Sequence, residues 1–201
     1  MHGSVRLLIS VGILLLPGIA SAADLEAGLA AYFEGDYETC LAECQPLAEE
    51  GNADAQFCVG RLYANGFGVA MNDDLALQWY GRAAEQGHGE ALYSLGLMNA
   101  NGWGVPMNDE EAANWYQLAA EQGFVQAQTS LAKVYQNGRG LEEDFVEAYV
   151  WFHIAMQLGD FNAMYDRDEV ATDLSPEQIA TAQQKADVWL SEHPDLVVEE
   201  D

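Results

Sequence analysis

Ser130 and Lys133 have the spacing of a catalytic pair. In a helix, Ser-x-x-Lys places the two side chains one turn apart, as in penicillin-interacting enzymes, where the lysine activates the serine hydroxyl as a nucleophile. The companion Ser-Asp-Asn and Lys-Thr-Gly motifs of those enzymes are absent from the sequence. Ser130 also follows Ser94 and Cys58 at intervals of 36 residues, which indicates a small residue at a packing position. We therefore predict that the protein is not an enzyme; the alternative is a cell-envelope enzyme or β-lactam-interacting protein that uses Ser130 and Lys133.

Three cysteines, Cys40, Cys44 and Cys58, are the next candidates for chemistry. In an exported protein, cysteines are considered first for disulfides. Cys44 and Cys58 lie seven residues on either side of Gly51, so a helical hairpin that turns there brings them to the same level on facing helices. Cys40 and Cys44 are four residues apart on one helix, where they are poorly oriented for bridging. We predict a Cys44–Cys58 disulfide, with Cys40 as the odd thiol.

No pattern predicts a metal or a cofactor. The four histidines are far apart, with no cysteine or carboxylate at metal-ligand spacing: His2, His88, His153 and His193. The acidic segment Asp166-x-Asp168-Glu169 lacks the glycine and the terminal glutamate of a calcium loop, so a solvated acidic face is expected there. The Gly-x-Gly pairs follow helical segments rather than strands, which excludes a dinucleotide-binding interpretation.

These residues belong to segments that repeat every 36 positions. The landmarks are glycine, alanine and tryptophan residues: Gly66, Gly102 and Gly138; Ala76, Ala112 and Ala148; Trp79, Trp115 and Trp151; Gly87, Gly123 and Gly159. A fixed period of this length is the mark of a repeat array. Because one unit cannot bury its apolar surface alone, stability must come from stacking units on one another.

Each unit contains two amphipathic segments with helical spacing. The first ends at Gly66 and its equivalents, which suit the left-handed conformation that closes a helix. The second begins at Asn72, Asn108 and Asp144, all good N-cap residues. Gly96 is expected to let two helices approach closely, so a larger residue there overpacks the contact.

The first full repeat has the sequence pattern Ala55-x3-Val59-Gly60-x2-Tyr63-x2-Gly66-x-Gly68-Val69, then Ala76-x2-Trp79-Tyr80-x2-Ala83-Ala84-Glu85-Gln86-Gly87. This pattern resembles the Sel-1-like repeat, an α-solenoid relative of the tetratricopeptide repeat, and the resemblance covers roughly residues 24–163. It departs from the repeat where Asn99 replaces Tyr, Ala132 replaces Gly and Met156 replaces Ala. The resemblance implies a scaffold for protein–protein contacts that is not itself catalytic.

The flanking segments complete the predicted organisation. Residues 1–22 contain a basic residue, then a short apolar run, and they end in small residues. This pattern is typical of the signal peptide of an exported bacterial protein. One repeat domain, 23–193, then comprises a degenerate unit, three repeats and a cap: 24–54, 55–90, 91–126, 127–162 and 163–193. Residues 194–201 form an acidic tail. The predicted fold is all-α, a right-handed α-solenoid of stacked helix pairs, about ten helices in all, with a C-terminal capping helix.

The net charge of the chain limits the classes of molecule that it can bind. The net charge is −26 and the pI is near 4.1. Such a surface repels nucleic acids and anionic lipids. Two explanations stay open: adaptation to a salty environment, or selection for a cationic partner. We predict a monomer that is periplasmic or secreted, with no stable membrane insertion after signal cleavage, whose unknown partner is a protein or peptide.

A stripe of side chains is the predicted binding site. It runs along the first helix of each unit and contains Phe57, Arg61, Tyr93, Leu97, Thr129 and Lys133. Stacking aligns these positions on the side where related solenoids form a concave groove, and aromatic residues with arginine are typical of binding hot spots. The alternative is that the stripe only packs neighbouring first helices together.

Overall fold

The computed structural model describes residues 17–197. The predicted signal peptide falls mainly on 1–16, and the end of the predicted tail on 198–201; both lie outside the described residues. Within 17–197 the protein has ten α-helices, one short 3-10 helix and no strand: α1 Pro17–Glu34, α2 Tyr37–Glu49, α3 Ala53–Asn65, α4 Asp73–Ala84, α5 Gly89–Asn101, α6 Asp109–Glu121, α7 Val125–Asn137, α8 Phe145–Gln157, α9 Ala163–Ala171, α10 Pro176–Glu192 and the 3-10 helix Pro194–Leu196. None of the described helices is long and apolar enough to cross a membrane.

The helices stack in antiparallel pairs along the chain. From α1 to α9, each helix packs on the next, while α10 packs on α8. The three repeats are α3 with α4, α5 with α6, and α7 with α8. This confirms the predicted all-α solenoid with 36-residue repeats.

The helix boundaries follow the predicted capping residues. The side chains of Asn72, Asn108 and Asp144 accept hydrogen bonds from backbone N–H groups in the first turns of α4, α6 and α8. At the other end, Gly66 closes α3 in the left-handed conformation, with φ of 67°. Ser175 and Gln178 form a capping box at the start of α10. Each cap satisfies backbone groups that a helix end leaves unpaired.

The second glycine of each Gly-x-Gly pair has a packing role. A Cβ atom at Gly104 would lie 2.8 Å from Cβ of Asp73, at the start of the second helix of the preceding unit. Gly68 makes the equivalent contact with Tyr37, and Gly140 with Asp109. These glycines therefore let each interhelical loop rest on the unit before it.

The buried residues form two clusters. The first comprises residues of α1 to α3, including all three cysteines, and the second extends from α4 to α10. Within the second cluster, every residue of α8 from Ala148 to Ala155 is buried. Because α7, α9 and α10 all pack on α8, this helix is enclosed on every side rather than on one face.

Gly96 shows how closely the helices of a repeat approach. A Cβ atom there would lie 2.5 Å from Cε1 of the buried Tyr116. We expect Gly96→Ala to lower the free energy of unfolding by about 1–3 kcal/mol, because the overpacked contact forces one helix away from the other. Urea denaturation measures this change.

Gly81→Ala is the matched control, since a Cβ atom at Gly81 meets nothing within 4 Å. There the substitution should raise stability by about 0.5–1 kcal/mol, because alanine loses less backbone entropy than glycine in a helix. Equal effects at the two positions would contradict the close contact at Gly96.

Residues assigned to the acidic tail pack back on the solenoid. Pro194–Leu196 form a 3-10 helix, and a Cβ atom at Gly123 would collide with the side chain of Leu196. The glycine thus leaves room for Leu196 beside the turn between α6 and α7.

Candidate functional site

Three residues of the predicted stripe line one groove. Phe57 and Arg61 of α3 and Leu97 of α5 face a cavity of about 450 Å³. Tyr80, in α4, forms part of its lining and is buried. The groove therefore lies between the first helices of two successive repeats.

The other three residues of the stripe have partners within the protein, and so does Phe57, whose ring lies 5.6 Å from that of Tyr80 and 4.6 Å from that of His88. Tyr93 packs against Tyr116 and Phe124, with ring centroids 5.7 and 5.3 Å apart. Thr129 donates a hydrogen bond of 2.7 Å to Asp160, and Lys133 forms a 3.2 Å ion pair with Asp166. At these positions the contacts match the alternative in which the stripe packs units together.

Two exposed apolar side chains from the loops flank the groove. Met71 follows α3 and is 68% exposed, and Trp103 follows α5 and is 50% exposed. Both line the cavity together with Met98. Tryptophan and methionine are favoured where a surface contacts apolar side chains of a partner. The periodicity of the helices did not predict these loop residues.

Arg61 is the basic residue of the groove, and Asp73 is the acidic one. The Arg61 guanidinium lies 4.1 Å from the centroid of the Tyr32 ring and 5.5 Å from that of Phe57. Within residues 24–197, no carboxylate forms a salt bridge with Arg61 or with Arg82, whereas Lys133, Arg139, Arg167 and Lys185 are all paired. The aromatic rings thus hold a positive charge at the groove without neutralising it.

The three cysteines meet between α2 and α3. All three are fully or almost fully buried free thiols, and their sulfur atoms lie within 4.8 Å of one another. Sγ of Cys40 lies 3.1 Å from Sγ of Cys58. We call these residues the cysteine cluster. The Cys44–Cys58 disulfide stays a prediction, and Cys40, predicted to be the odd thiol, belongs to the same cluster.

His88 has carboxylates beside it, contrary to the expectation from sequence spacing. Its Nδ1 accepts a hydrogen bond from the backbone N–H of Ala91, so its Nε2 faces Asp54 at 3.3 Å and Glu90 at 3.6 Å. His153 is different, because burial lowers its pKa. Among the described residues, the cysteine cluster is the one group that brings three metal-ligand atoms within 4.8 Å.

Three consecutive segments of the chain match one family model. The model of the Sel1 repeat fits residues 53–88, 89–124 and 125–160, more than half of the chain. The protein belongs to the Sel1 repeat family. The matched units coincide with the helix pairs α3 with α4, α5 with α6, and α7 with α8. Proteins of this kind typically mediate protein–protein interaction.

Solved structures of Sel1 repeat proteins are similar to this chain. A Sel1 repeat protein from Oxalobacter formigenes is 34% identical, with a TM-score of 0.68; the match covers 71% of this chain and 59% of the other. The protective antigen c5321 of uropathogenic Escherichia coli, which displays an SLR fold, is 25% identical, with a TM-score of 0.53, and covers 90% of this chain and 49% of the other. This chain thus spans about half to three fifths of those proteins. No curated protein matches the sequence.

Ser130 and Lys133 occupy the third Sel1 repeat and face a second cavity of about 210 Å³. In the described part of the chain no hydrogen bond joins their side chains, and the Lys133 ammonium is held by Asp166 instead. Because the Lys133 side chain is directed to Asp166 and not to Ser130, it is poorly placed to activate the Ser130 hydroxyl. This geometry supports a packing role for Ser130.

Proposed function

We propose that this protein is a non-catalytic scaffold that binds a partner protein through an extended peptide segment held in the groove between α3 and α5. Arg61 carries the proposal: its guanidinium lies at the groove, is fixed over an aromatic ring, and has no carboxylate partner among the described residues. A carboxylate of the bound segment would complete this ion pair.

The shape and lining of the groove favour an apolar segment around that carboxylate. A volume of about 450 Å³ falls in the usual range of ligand sites, roughly 300–1,000 Å³, and leaves room for a few side chains. Phe57, Leu97 and Met98 supply apolar walls, while Trp103 can cover a bound side chain from outside. Most of the binding free energy should come from these contacts, with Arg61 fixing the register.

The net charge limits the rest of the partner. Because the chain carries a charge of −26, a strongly acidic partner would be repelled before it reached the groove. The segment should therefore contain one acidic residue among apolar ones, within a partner that is otherwise neutral or basic. The protein is proposed to act as a monomer, with the groove open to this partner.

The proposed site is shorter than the six-residue stripe. Phe57, Arg61 and Leu97 remain in it, whereas Thr129 and Lys133 are already engaged with carboxylates of the C-terminal part of the chain. Those two positions would have to break an existing contact to bind a partner. The segment is therefore expected to end near α5 rather than to run the length of the solenoid.

The protein is also proposed to be exported, to the periplasm or the medium. The proposal is supported by the signal-peptide pattern of residues 1–22. Export would bring the cysteines into an oxidising environment, where disulfides form and persist. The Cys44–Cys58 disulfide in protein recovered from the native cell would be a consequence of export, and its absence from metal-free protein would count against export.

A peptide-display selection tests the proposed groove. We expect enriched peptides to combine apolar side chains with one Asp or Glu, and Arg61→Ala to weaken their binding by about 1 kcal/mol or more, roughly a fivefold rise in Kd. Titration calorimetry on each variant measures this change.

Arg82→Ala is the matched control, since Arg82 is also stacked on an aromatic ring, 4.6 Å from that of Trp79, but does not line the groove. Its binding should equal that of the wild type. Enriched peptides that bind the Arg61→Ala variant as tightly as the wild type would contradict the proposal.

A further inference from the structure

The cysteine cluster has the arrangement of a three-sulfur metal site. Cys40 and Cys44 are one turn apart on α2, and Cys58 approaches them from α3. Three sulfurs bound to one ion at about 2.3 Å stand roughly 4 Å apart. The observed limit of 4.8 Å means that small side-chain rotations reach this geometry, with the helices already in position.

The cluster is closed on its third side by α1. A Cβ atom at Gly28 would lie 2.5 Å from Sγ of Cys44, so only glycine allows α1 to cover this sulfur. The surrounding buried side chains are apolar, including Leu47, Val59 and Leu62. Within the described residues, the cluster itself offers sulfur alone as a ligand.

The sulfurs already lie in contact with one another. Sγ of Cys40 is 3.1 Å from Sγ of Cys58, close enough for a thiol proton to lie between them. A cation that binds the three sulfurs takes the place of the thiol protons, which are released to solvent, and the arrangement of the helices stays intact.

The number of ligands and the burial select the ion. Structural zinc is held by four ligands, whereas in the described residues the cluster offers three ligand atoms, all of them thiol sulfurs. An iron–sulfur cluster needs its cysteines further apart, because several iron and sulfide atoms lie between them. Soft thiolates favour Cu(I), which accepts three-coordinate sites.

We propose that the reduced cysteine cluster binds one Cu(I) ion through the sulfurs of Cys40, Cys44 and Cys58. None of the three cysteines lines the peptide groove. Nothing in the repeat pattern requires the site either, because Ser94 and Ser130 stand at the equivalents of Cys58 in the next two repeats.

Another cavity, different from the one at Ser130 and Lys133, provides the route to the cluster. It has a volume of about 210 Å³ and is lined by Cys58 together with His88, Asp54 and Glu90. Arg61 also lines this cavity. The two carboxylates outnumber its single positive charge, so the lining still attracts a cation from solvent. Cys58 is the member of the cluster that lines this cavity, so it is the sulfur that the ion meets first.

Anaerobic titration of the reduced chain with Cu(I), against a chromophoric Cu(I) chelator, tests the proposal. We expect one Cu(I) per chain, a rise in Tm on loading, and a sulfur-only first shell in copper X-ray absorption spectra. Cys58→Ala should lower the affinity at least tenfold, whereas Ser94→Ala, at the equivalent position of the next repeat, should bind as the wild type does.

Oxidation supplies a further control in the same protein. Diamide, which takes two electrons and two protons from a thiol pair to form a disulfide and its own hydrazine, should abolish Cu(I) binding. The proposal is overturned if the wild type cannot take Cu(I) from the chelator, or if the absorption spectra show nitrogen or oxygen ligands. Should Cys58→Ala lose its helical signal, the wild-type spectra alone decide the question.

Discussion

Phe152→Ala lowers the free energy of unfolding by about 3–5 kcal/mol, the largest single-residue effect we expect in this protein. Phe152 is 0% exposed and occupies the repeat position of Tyr80 and Tyr116. It lies in α8, which α7, α9 and α10 enclose. Truncation leaves a cavity among three neighbouring helices, and rigid helix pairs cannot close it fully. Urea denaturation followed by circular dichroism measures the loss.

Phe161→Ala is the control for this substitution. Phe161 follows α8 in the same repeat but is 76% exposed, so its truncation removes little buried area. We expect its effect to stay within about 0.5 kcal/mol. A Phe152→Ala variant as stable as Phe161→Ala would show that α8 is not the centre of the C-terminal core.

Oxidation of the cysteine cluster to the Cys44–Cys58 disulfide raises the free energy of unfolding by about 3 kcal/mol in the chain-entropy model for a loop of about 15 residues. The gain arises because the cross-link restricts the unfolded chain. Comparing urea denaturation of the oxidised and reduced chains gives the value. The Cys40→Ala variant should keep this gain, and Cys44→Ala should lose it.

Peptide mapping without reduction identifies the linked pair. Trypsin is unsuitable because the sequence has no Lys or Arg between Cys40 and Cys58. A glutamate-specific protease separates all three cysteines by cleaving after Glu43 and after Glu49 or Glu50. The 3.1 Å contact joins Cys40 to Cys58, so a Cys40–Cys58 peptide is the specific result that would contradict the predicted pairing.

The repeat architecture was predictable from sequence because its determinants are local and periodic. Gly66, Asn72 and their equivalents fix the ends of helices through their own backbone and side-chain groups, and each is repeated every 36 residues. Ser175 and Gln178 gave the start of α10 in the same way. Family membership follows from the same positions.

The enclosure of α8 was not predictable, because it depends on contacts outside the period. Helical spacing predicts one buried face, whereas α10 turns back to cover the opposite side of α8. The same C-terminal segments supply Asp160 and Asp166, which engage Thr129 and Lys133 of the predicted stripe. The 36-residue period places the six stripe residues at equivalent positions and so predicts similar surroundings for all of them. Near the C-terminal end of the solenoid the surroundings differ, because the segments that follow α8 contact Thr129 and Lys133.

The candidate site was predicted only in part for a similar reason. Phe57, Arg61 and Leu97 lie on helices, where spacing predicts a shared face. Met71 and Trp103 lie in loops, whose conformation periodicity does not determine, and their exposure appears only in the folded chain. The cysteine cluster combines two residues one turn apart on α2 with a third residue on α3. From the sequence, the cysteines are compared in pairs, as candidates for a disulfide, and this comparison does not predict that all three sulfurs lie together.

Methyl and indole NMR of the protein with a selected peptide tests the proposed groove most directly. Met71, Met98 and Trp103 line the groove, while Met156, Met164 and Trp189 lie in the C-terminal helices and serve as internal controls. We expect the first set of signals to shift on titration and the second set to stay unchanged. Shifts confined to the C-terminal set, with the peptide demonstrably bound, would contradict the assignment of partner binding to the groove between α3 and α5.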